Sequence, residues 1–271
     1  TRFSLDIIGV IFLIIIIFPF IWLLLTSMKV SNELMTWPPT FIPSELTFEH
    51  YKNIFLDSSM MNGFSNTVII SSVSTFLAVA IGSAAAYSLS RVKFSKLLRN
   101  TLLAWFLITR MYPAIATAVP YYLIMRDFGL LDTKLALIIT YTGFNLPFVI
   151  WLMMGFFEGI PKDLDRAAII DGCSLWQRFT KVILPLSKPG LIATIIFSFS
   201  LAWNEFLFAM ILTSNTARTM PTVVAGFITD RGYEFGMMSS LGVLLVIPVI
   251  LLAWITQKHL VSGLTMGAVK E

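Results

Sequence analysis

The sequence predicts an all-α membrane protein whose chain crosses the bilayer several times. Hydrophobic residues make up 57% of the 271 residues and charged residues only 13%. The apolar residues are gathered into six stretches of about twenty residues, which is the length an α-helix needs to cross the hydrocarbon core. Only residues 29–62 and 161–190 form long connections, and neither contains enough apolar residues to fold separately. We therefore expect one polytopic domain over residues 1–271.

Each of the six stretches is expected to form one transmembrane helix. The predicted spans are Leu5–Thr26, Phe64–Leu89, Thr101–Met125, Leu135–Phe157, Leu191–Leu212 and Phe235–Ile255. The first is too long and too uniformly apolar for a cleaved signal sequence, so we expect it to be retained. Small residues at Gly82–Ala86 predict close approach of another helix to span two. Prolines in spans one, three, four and six predict bends.

The distribution of basic residues predicts the orientation. Lys and Arg are retained on the cytoplasmic side of a membrane protein. If both termini are inside, the inner segments carry twelve of the 19 basic residues and the outer segments carry six. Both termini and residues 161–190 are therefore expected in the cytoplasm. The net charge of +4 is spread over the span ends, which indicates membrane topology and no binding of nucleic acid.

Residues 161–190, here called the polar segment, separate spans four and five with an amphipathic sequence. Apolar residues such as Leu164, Ala168 and Phe179 recur among charged ones at three- and four-residue steps, which is typical of short surface helices. Gly172 divides the run. A glycine there can adopt a positive φ, so it is expected to end one helix and turn the chain into the next.

The order Ala167, Ala168, Gly172 and then Ile183, Leu184, Pro185 resembles the coupling loop of binding-protein-dependent ABC importer permeases. The whole chain is similar to the shorter of the two permeases in carbohydrate importers of the maltose and trehalose type. That similarity includes AWNEFLFA at Ala202–Ala209 and GLTMGAVK at Gly263–Lys270. The family usually has glutamate where this chain has Arg166, so the local charge is reversed.

The resemblance implies two contacts with an ATPase. The first is the polar segment, acting as a cytoplasmic coupling loop through Asp165, Arg166, Ala167, Ala168, Asp171, Gly172, Trp176, Leu184 and Pro185. The second is the cytoplasmic tail, residues 259–271, through Gly263, Leu264, Thr265 and Gly267. The glycines and small side chains of this tail predict that it forms no stable helix.

The resemblance also implies a set of partners in a bacterial or archaeal cell membrane. These are a second permease forming a heterodimer, two ATPase subunits, an external solute-binding protein and a sugar. The chain has no G-x-x-x-x-G-K-[ST] phosphate-binding loop and no arrangement of nucleophile and base. We therefore expect no catalytic residues and no cofactor in this chain, and assign ATP and Mg²⁺ to the partner subunits. His50 and His259 are isolated, so we expect no metal site.

Two charged residues, Arg110 and Glu205, lie inside the predicted spans, where an ionisable group needs a partner or a water-filled cavity. They either line a path for the sugar or have a structural role, as an ion pair or as capped polar groups between helices. Trp203 and Asn204 beside Glu205 suit a pyranose chemically, although an interfacial or packing role for Trp203 is the alternative. The remaining path candidates are Tyr112 and Asn145, which stand near prolines that open the helix or simply bend it.

The function predicted is that of the membrane-spanning subunit of an ATP-driven sugar importer, with a disaccharide such as trehalose or maltose as cargo. One alternative is a secondary transporter or channel in which Arg110 and Glu205 are coupling charges. Another is a structural membrane subunit without cargo. The outer segments 29–62 and 213–234 are candidates for docking the binding protein, or else connections packed on their own helices.

Overall fold

The computed structural model describes residues 2–229 and 232–265, apart from the side chains of residues 2–5, 228–229, 232–233, 256 and 258–265. Six helices come before the polar segment: α1 Arg2–Ser27, α2 Glu49–Leu56, α3 Ser58–Arg91, α4 Lys96–Met111, α5 Ala114–Asp127 and α6 Lys134–Glu158. The polar segment contains α7 Lys162–Ile170, α8 Leu175–Gln177, a π-helix Arg178–Ile183 and α9 Leu184–Leu186. After these come α10 Lys188–Trp203, α11 Leu207–Leu212, α12 Met220–Ala225, the short strands β1 Ile228–Thr229 and β2 Gly232–Tyr233, and α13 Phe235–Thr265.

The all-α, polytopic prediction is confirmed. Helices α1, α3, α6 and α13 are each long and apolar enough to cross a membrane. Two bent pairs bring the number to six if each pair counts as one span: α4 with α5, and Leu175–Leu186 with α10. β1 and β2 form an antiparallel pair in which Ile228 lies opposite Tyr233.

The third predicted span is not one helix. The axes of α4 and α5 differ in direction by 97° across the break at Tyr112 and Pro113. Pro113 has no N–H to donate to the carbonyl of Thr109, and its ring forces the residue before it out of the helical region. Tyr112 accordingly has ψ 129°. The prediction of a continuous Thr101–Met125 helix was wrong because this proline ends the helix instead of bending it.

The fifth predicted span begins earlier and breaks before its end. It starts as α10 at Lys188, and residues Asn204–Phe206 separate α10 from α11. The Asn204 side chain donates to the Ser200 carbonyl at 2.8 Å. The Glu205 carboxylate accepts the N–H groups of Phe208 and Ala209 at 2.9 and 3.2 Å. Polar side chains thus close one helix and open the next, which is how such residues compete with a continuing helix.

The tail prediction was wrong in its first half. α13 continues through residues 259–265, including Gly263, and Thr265 is the last described residue. A glycine lowers helix stability by about 1 kcal/mol. In a helix of 31 residues the other residues offset this loss. Residues 266–271, and with them Gly267, lie outside the described residues.

The chain divides into two compact units, of which the first comprises residues 1–64 and 219–250. Its core consists of Ile54, Met60, Met220, Val223 and Leu241. The connection after α1 is held by Glu33, whose carboxylate accepts the Thr40 hydroxyl at 2.5 Å and the Ser44 N–H at 3.2 Å. The Thr40 hydroxyl and the Ser44 groups lower the pKa of Glu33. This part of segment 29–62 is therefore an ordered connection.

The second unit comprises residues 65–218 and 251–271, and its larger core lies between α3, α6 and the π-helix. α3 and α6 approach closely at Gly82. A Cβ atom at this position would lie 2.6 Å from Cγ1 of Val149 and 3.6 Å from the backbone nitrogen of Ile150. The small-residue run at Gly82–Ala86 is therefore a packing face, as the sequence predicts. The second core cluster of this unit joins α5, α6 and α11.

The substitution Gly82→Ala is expected to destabilise the protein by about 1–3 kcal/mol, the usual cost of overpacking a well-filled core. The stiff, β-branched Val149 has little freedom to move away. Thermal unfolding in detergent measures the effect. Gly155→Ala in α6 is the matched control, because a Cβ there meets nothing within 4 Å. Equal midpoints for the two variants would contradict the packing role of Gly82.

Candidate functional site

The first half of the polar segment is a helix with well-defined ends. Asp163 and Asp165 lie in the first turn of α7, where negative charge stabilises the helix dipole. At the other end the Cys173 N–H donates to the Ala168 carbonyl at 2.9 Å and the Gly172 N–H to the Ile169 carbonyl at 3.0 Å. These two bonds form a Schellman motif. Gly172 has φ +76°, so the turn predicted from the sequence is confirmed.

The second half begins with a capping box and contains a π-helix. The Ser174 hydroxyl accepts the Gln177 N–H at 3.3 Å, and the Gln177 side chain accepts the Ser174 N–H at 2.8 Å. The π-helix Arg178–Ile183 follows directly and leads into α9. Pro185 lies in α9, which continues the π-helix without a break. The chain then bends by 84° into α10.

Three exposed apolar side chains, those of Ile169, Ile170 and Trp176, form what is here called the tip of the polar segment. Ile170 is 86% exposed, Trp176 is 66% exposed and Ile169 is 54% exposed. Exposed apolar side chains grouped in this way mark an interaction site. Ala168 is buried, whereas Arg166 is exposed and pairs with the equally exposed Asp163 at 2.9 Å. Arg166 therefore presents its charge on the surface of α7.

Asp165 is buried and links three elements. One of its oxygens accepts the Tyr87 hydroxyl of α3 at 3.1 Å and the Arg178 guanidinium of the π-helix at 3.3 Å. The side chain of Asp165 is 9% exposed and that of Arg178 is 17% exposed. Nearby, the Arg91 guanidinium donates to the carbonyls of Phe157 and Ile160 at 2.6 Å each. These bonds fasten the end of α3 to the polar segment and to the end of α6.

Arg110 lies in the last turn of α4. Its guanidinium carbon is 5.7 Å from the centre of the Phe144 ring and 5.3 Å from that of Phe148. This is a cation–π arrangement. The side chain borders a cavity of about 510 Å³ that is otherwise lined by apolar groups such as Trp151 and Met154. Among the described ion pairs none joins Arg110 to Glu205, so the structural pair between them is absent.

The residues around Glu205 have mainly structural contacts. Trp203 is almost fully buried and stacks on Phe199 with ring centres 5.4 Å apart. Asn204 is exposed and closes α10, while Glu205 opens α11 through the bonds given above. These contacts favour the packing alternative for Trp203 and leave Asn204 accessible. A role of the three in a sugar path stays a prediction.

Asn145 and Tyr112 lie in different surroundings. Asn145 is buried, and its amide donates to the Ser198 carbonyl of α10 at 3.3 Å. It therefore joins α6 to α10, a bond across two spans. Tyr112 is 57% exposed and stands at the break between α4 and α5. Its predicted role on a sugar path likewise stays a prediction.

An aspartate outside the spans organises a loop that the sequence reasoning did not find. Asp132 lies between α5 and α6 with φ +57°. Its carboxylate accepts the N–H groups of Ser214, Asn215, Thr216 and Ala217 at distances of 3.0 to 3.2 Å. Partial burial on its own raises the pKa of Asp132, but the four N–H groups outweigh it and lower this pKa. Asn66 holds the same loop by donating to the carbonyls of Thr216 and Arg218 at 2.9 Å.

Sequence reasoning missed Tyr87 and Asp132 and the partners of Asp165. Tyr87 is one aromatic residue among many apolar ones in α3, and its partner lies 78 residues away, so no local pattern reveals the bond. Asp132 lies in a local turn pattern that the sequence does show. Gly129, which has φ +66°, precedes it by three residues and Thr133, which caps α6, follows it. That turn pattern predicts a tight connection but not the distant loop it holds.

Comparison with known proteins defines the class of protein to which this architecture belongs. Residues 78–265 match the family described as binding-protein-dependent transport system inner membrane component. The chain is 41% identical over 254 residues to the probable ABC transporter permease protein y4oR of Sinorhizobium fredii, covering 94% of this chain and 90% of that one. It is 36% identical over 255 residues to the trehalose transport system permease protein SugB of Mycobacterium tuberculosis, covering 93% and 92%. It is also 36% identical over 274 residues to the trehalose/maltose transport system permease protein MalG of Thermococcus litoralis, covering 97% and 95%.

A solved structure has the same fold. A chain from a bacterial ABC transporter involved in the import of the acidic polysaccharide alginate superposes with a TM-score of 0.80, covering 96% of both chains at 22% identity. At this identity the likeness concerns the fold. This chain belongs to the family of binding-protein-dependent transport system inner membrane components, and the resemblance seen in its motifs is confirmed.

The substitution Asp132→Asn is expected to loosen residues 214–217, because it removes the negative charge that the four N–H groups face and can place an NH2 group where the second carboxylate oxygen accepts the Thr216 N–H. The expected loss of stability is about 1–3 kcal/mol, measured by limited proteolysis of this loop. Asp127→Asn is the control, since the exposed Asp127 carboxylate is bonded by the Arg126 guanidinium of the neighbouring residue.

The same carboxylate gives a pH dependence with a definite sign. Because folding lowers the pKa of Asp132, its contribution to stability is complete above the unfolded value of about 3.9. The contribution falls as the pH drops below that value towards the lowered pKa. Wild-type protein should therefore lose loop protection at acidic pH by an amount that Asp132→Asn does not show. An identical pH profile for both would contradict the role of the carboxylate.

Proposed function

We propose that this chain is the membrane-spanning subunit of an ATP-driven sugar importer. It forms the translocation path together with a second permease, and a solute-binding protein delivers the cargo. Two ATPase subunits supply the free energy, since ATP and Mg²⁺ bind there and not on this chain. The observation that carries the proposal is the polar segment, whose exposed apolar tip lies between two spans. The chain that contains it belongs to a family of transport system inner membrane components.

The proposed orientation places both termini and the polar segment in the cytoplasm. The excess of basic residues on that side supports it. The tip of the polar segment then meets the ATPase through Ile170 and Trp176, with Arg166 offering a positive charge beside them. The buried Ala168 and the Schellman turn at Gly172 hold the two halves of the segment at a fixed angle.

Coupling follows from this arrangement as the movement of a lever. α7 continues from α6, and the π-helix and α9 lead into α10. When the ATPase pair closes, the polar segment moves and tilts both spans. This tilt changes the side of the membrane from which the translocation path is accessible. The shift requires that bound ATP favours one arrangement over the other, because equal affinity for both would move nothing.

The proposed cargo is a disaccharide such as trehalose or maltose. The names of two relatives that match nearly the full chain support this class. Arg110, Tyr112, Asn145, Trp203, Asn204 and Glu205 are the candidates for lining the path. Exposed Asn204 and Tyr112 offer hydrogen bonds and an aromatic face to sugar hydroxyls and rings. Segments 29–62 and 213–234 are the candidate docking surfaces for the binding protein.

ATPase activity of the co-expressed complex in lipid tests the proposal. The assay includes the binding protein and a panel of disaccharides, longer glucosides and polyols. We expect one disaccharide to stimulate hydrolysis. Hydrolysis that ignores every solute would favour the structural subunit without cargo. Uptake without co-purifying ATPase subunits would favour the secondary transporter.

Gly172→Val is expected to uncouple hydrolysis from uptake while the protein stays in the membrane. A β-branched residue at φ +76° costs about 1–2 kcal/mol and opens the Schellman turn. The amount of sugar taken up per ATP hydrolysed should fall by about 5–150-fold, which is the change that usual coupling free energies produce. Gly129→Val is the matched control, because Gly129 has φ +66° and equally open surroundings but lies outside the polar segment. Equal uptake by both variants would count against the lever.

A further inference from the structure

The polar segment is joined to α3 only through side chains. The lever described above runs through the chain itself into α6 and α10, whereas α3 precedes α7 in sequence by a long stretch. The bond between Tyr87 and Asp165 spans 78 residues. Motion of the polar segment therefore reaches α3 only if side-chain contacts transmit it.

The contacts at this point have an apolar and a polar part. The Tyr87 ring lies 5.2 Å from that of Phe179 and 6.1 Å from that of Phe157, measured between ring centres. These contacts hold the rings together without a preferred direction along the surface. The hydroxyl of Tyr87 adds a bond to one oxygen of Asp165, and the same oxygen accepts from Arg178. This bond, at 3.1 Å, is directional, so it adds a defined alignment that the ring contacts lack.

The burial of Asp165 requires these partners. A buried carboxylate is unfavourable unless it is paired and hydrogen-bonded. Arg178 of the π-helix compensates the charge from within the polar segment, and the Tyr87 hydroxyl of α3 supplies the remaining hydrogen bond from outside it. If α7 moved away from α3 by a few ångström, Asp165 would lose the hydroxyl while remaining in apolar surroundings. That penalty opposes any sliding of α7 along α3.

We propose that Tyr87 and Asp165 are positioning residues that make α3 move with the polar segment as one body. ATP-driven motion then enters the bundle through span two as well as spans four and five. The inference rests on the proposed function, because it needs an ATPase that moves the polar segment. Tyr87, the hydroxyl donor, and Asp165, the buried acceptor, carry this link at the polar segment itself, beside the Arg91 bonds that hold α3 to the end of α6.

Tyr87→Phe tests the link, because it keeps the aromatic packing and removes only the hydroxyl. The complex is reconstituted in lipid with its ATPase subunits, second permease and binding protein, and both ATP hydrolysis and sugar uptake are measured on equal amounts of assembled complex. We expect ATP consumed per sugar to rise by at least about fivefold, the lower end of usual coupling. Tyr122→Phe is the control, since that partly exposed residue has no hydrogen bond among the described ones. Asp165→Asn, which removes the charge and keeps the shape, should raise the ratio as well.

A distance measurement separates the link from a merely structural role. Cys173 is the only cysteine, so spin labels at Cys173 and at Val92→Cys, just beyond α3, report the separation of the two elements. In otherwise wild-type complex this distance should stay constant on adding ATP, and with Tyr87→Phe it should change. A distance that changes in the wild-type background overturns the proposal. So does a ratio of ATP to sugar in Tyr87→Phe equal to that of the control.

The failure of this inference differs from the failure of the proposed function. If the wild-type complex shows neither solute-stimulated hydrolysis nor uptake, the importer proposal is wrong and the link falls with it. If the wild type couples and Tyr87→Phe couples equally well, only the link is wrong.

Discussion

Every backbone N–H and C=O group inside a bilayer needs a partner within the protein, and this constraint decides where the helices of the chain run and how they end. Continuous helices satisfy it directly in α1, α3, α6 and α13. Where a helix stops, side chains supply the missing bonds. Asn204 closes α10 and the Glu205 carboxylate opens α11. The polar residues that attract attention as possible sugar ligands are thus also the residues that make a break possible.

Arg110 and Asp165, two charged residues of the second unit, are stabilised in two different ways. Arg110 rests on the faces of Phe144 and Phe148 and borders an apolar cavity. Asp165, in contrast, is surrounded by donors from α3 and the π-helix. A cation over aromatic rings keeps its N–H groups available for a further ligand, whereas a carboxylate with two donors is committed to holding helices. The two charges therefore suit different tasks, one towards the cavity and one within the framework.

Sequence reasoning predicts the fold well where one local signal dominates. Long apolar runs gave four continuous spans, and Gly172 gave the turn between the halves of the polar segment. It fails where two local effects compete. Pro113 was expected to bend a span but ends a helix, and Gly263 was expected to prevent a helix that continues past it. For the candidate site, the motif located the polar segment and its exposed tip. Tyr87, which bonds Asp165, and the loop that Asp132 holds lie on distant parts of the chain, so only the folded arrangement reveals these contacts.

The contact at Gly82 limits where the bundle can change shape. Because the Val149 side chain of α6 packs directly against the backbone of α3 at this point, neither helix can rotate about its own axis without forcing a side chain into its neighbour. Torsional freedom is greater at breaks such as Tyr112–Pro113 and Asn204–Phe206, where the run of helical residues is already interrupted. The pair of α3 and α6 is therefore the stiff part of the second unit, and the two breaks are places where the helices beside it can bend.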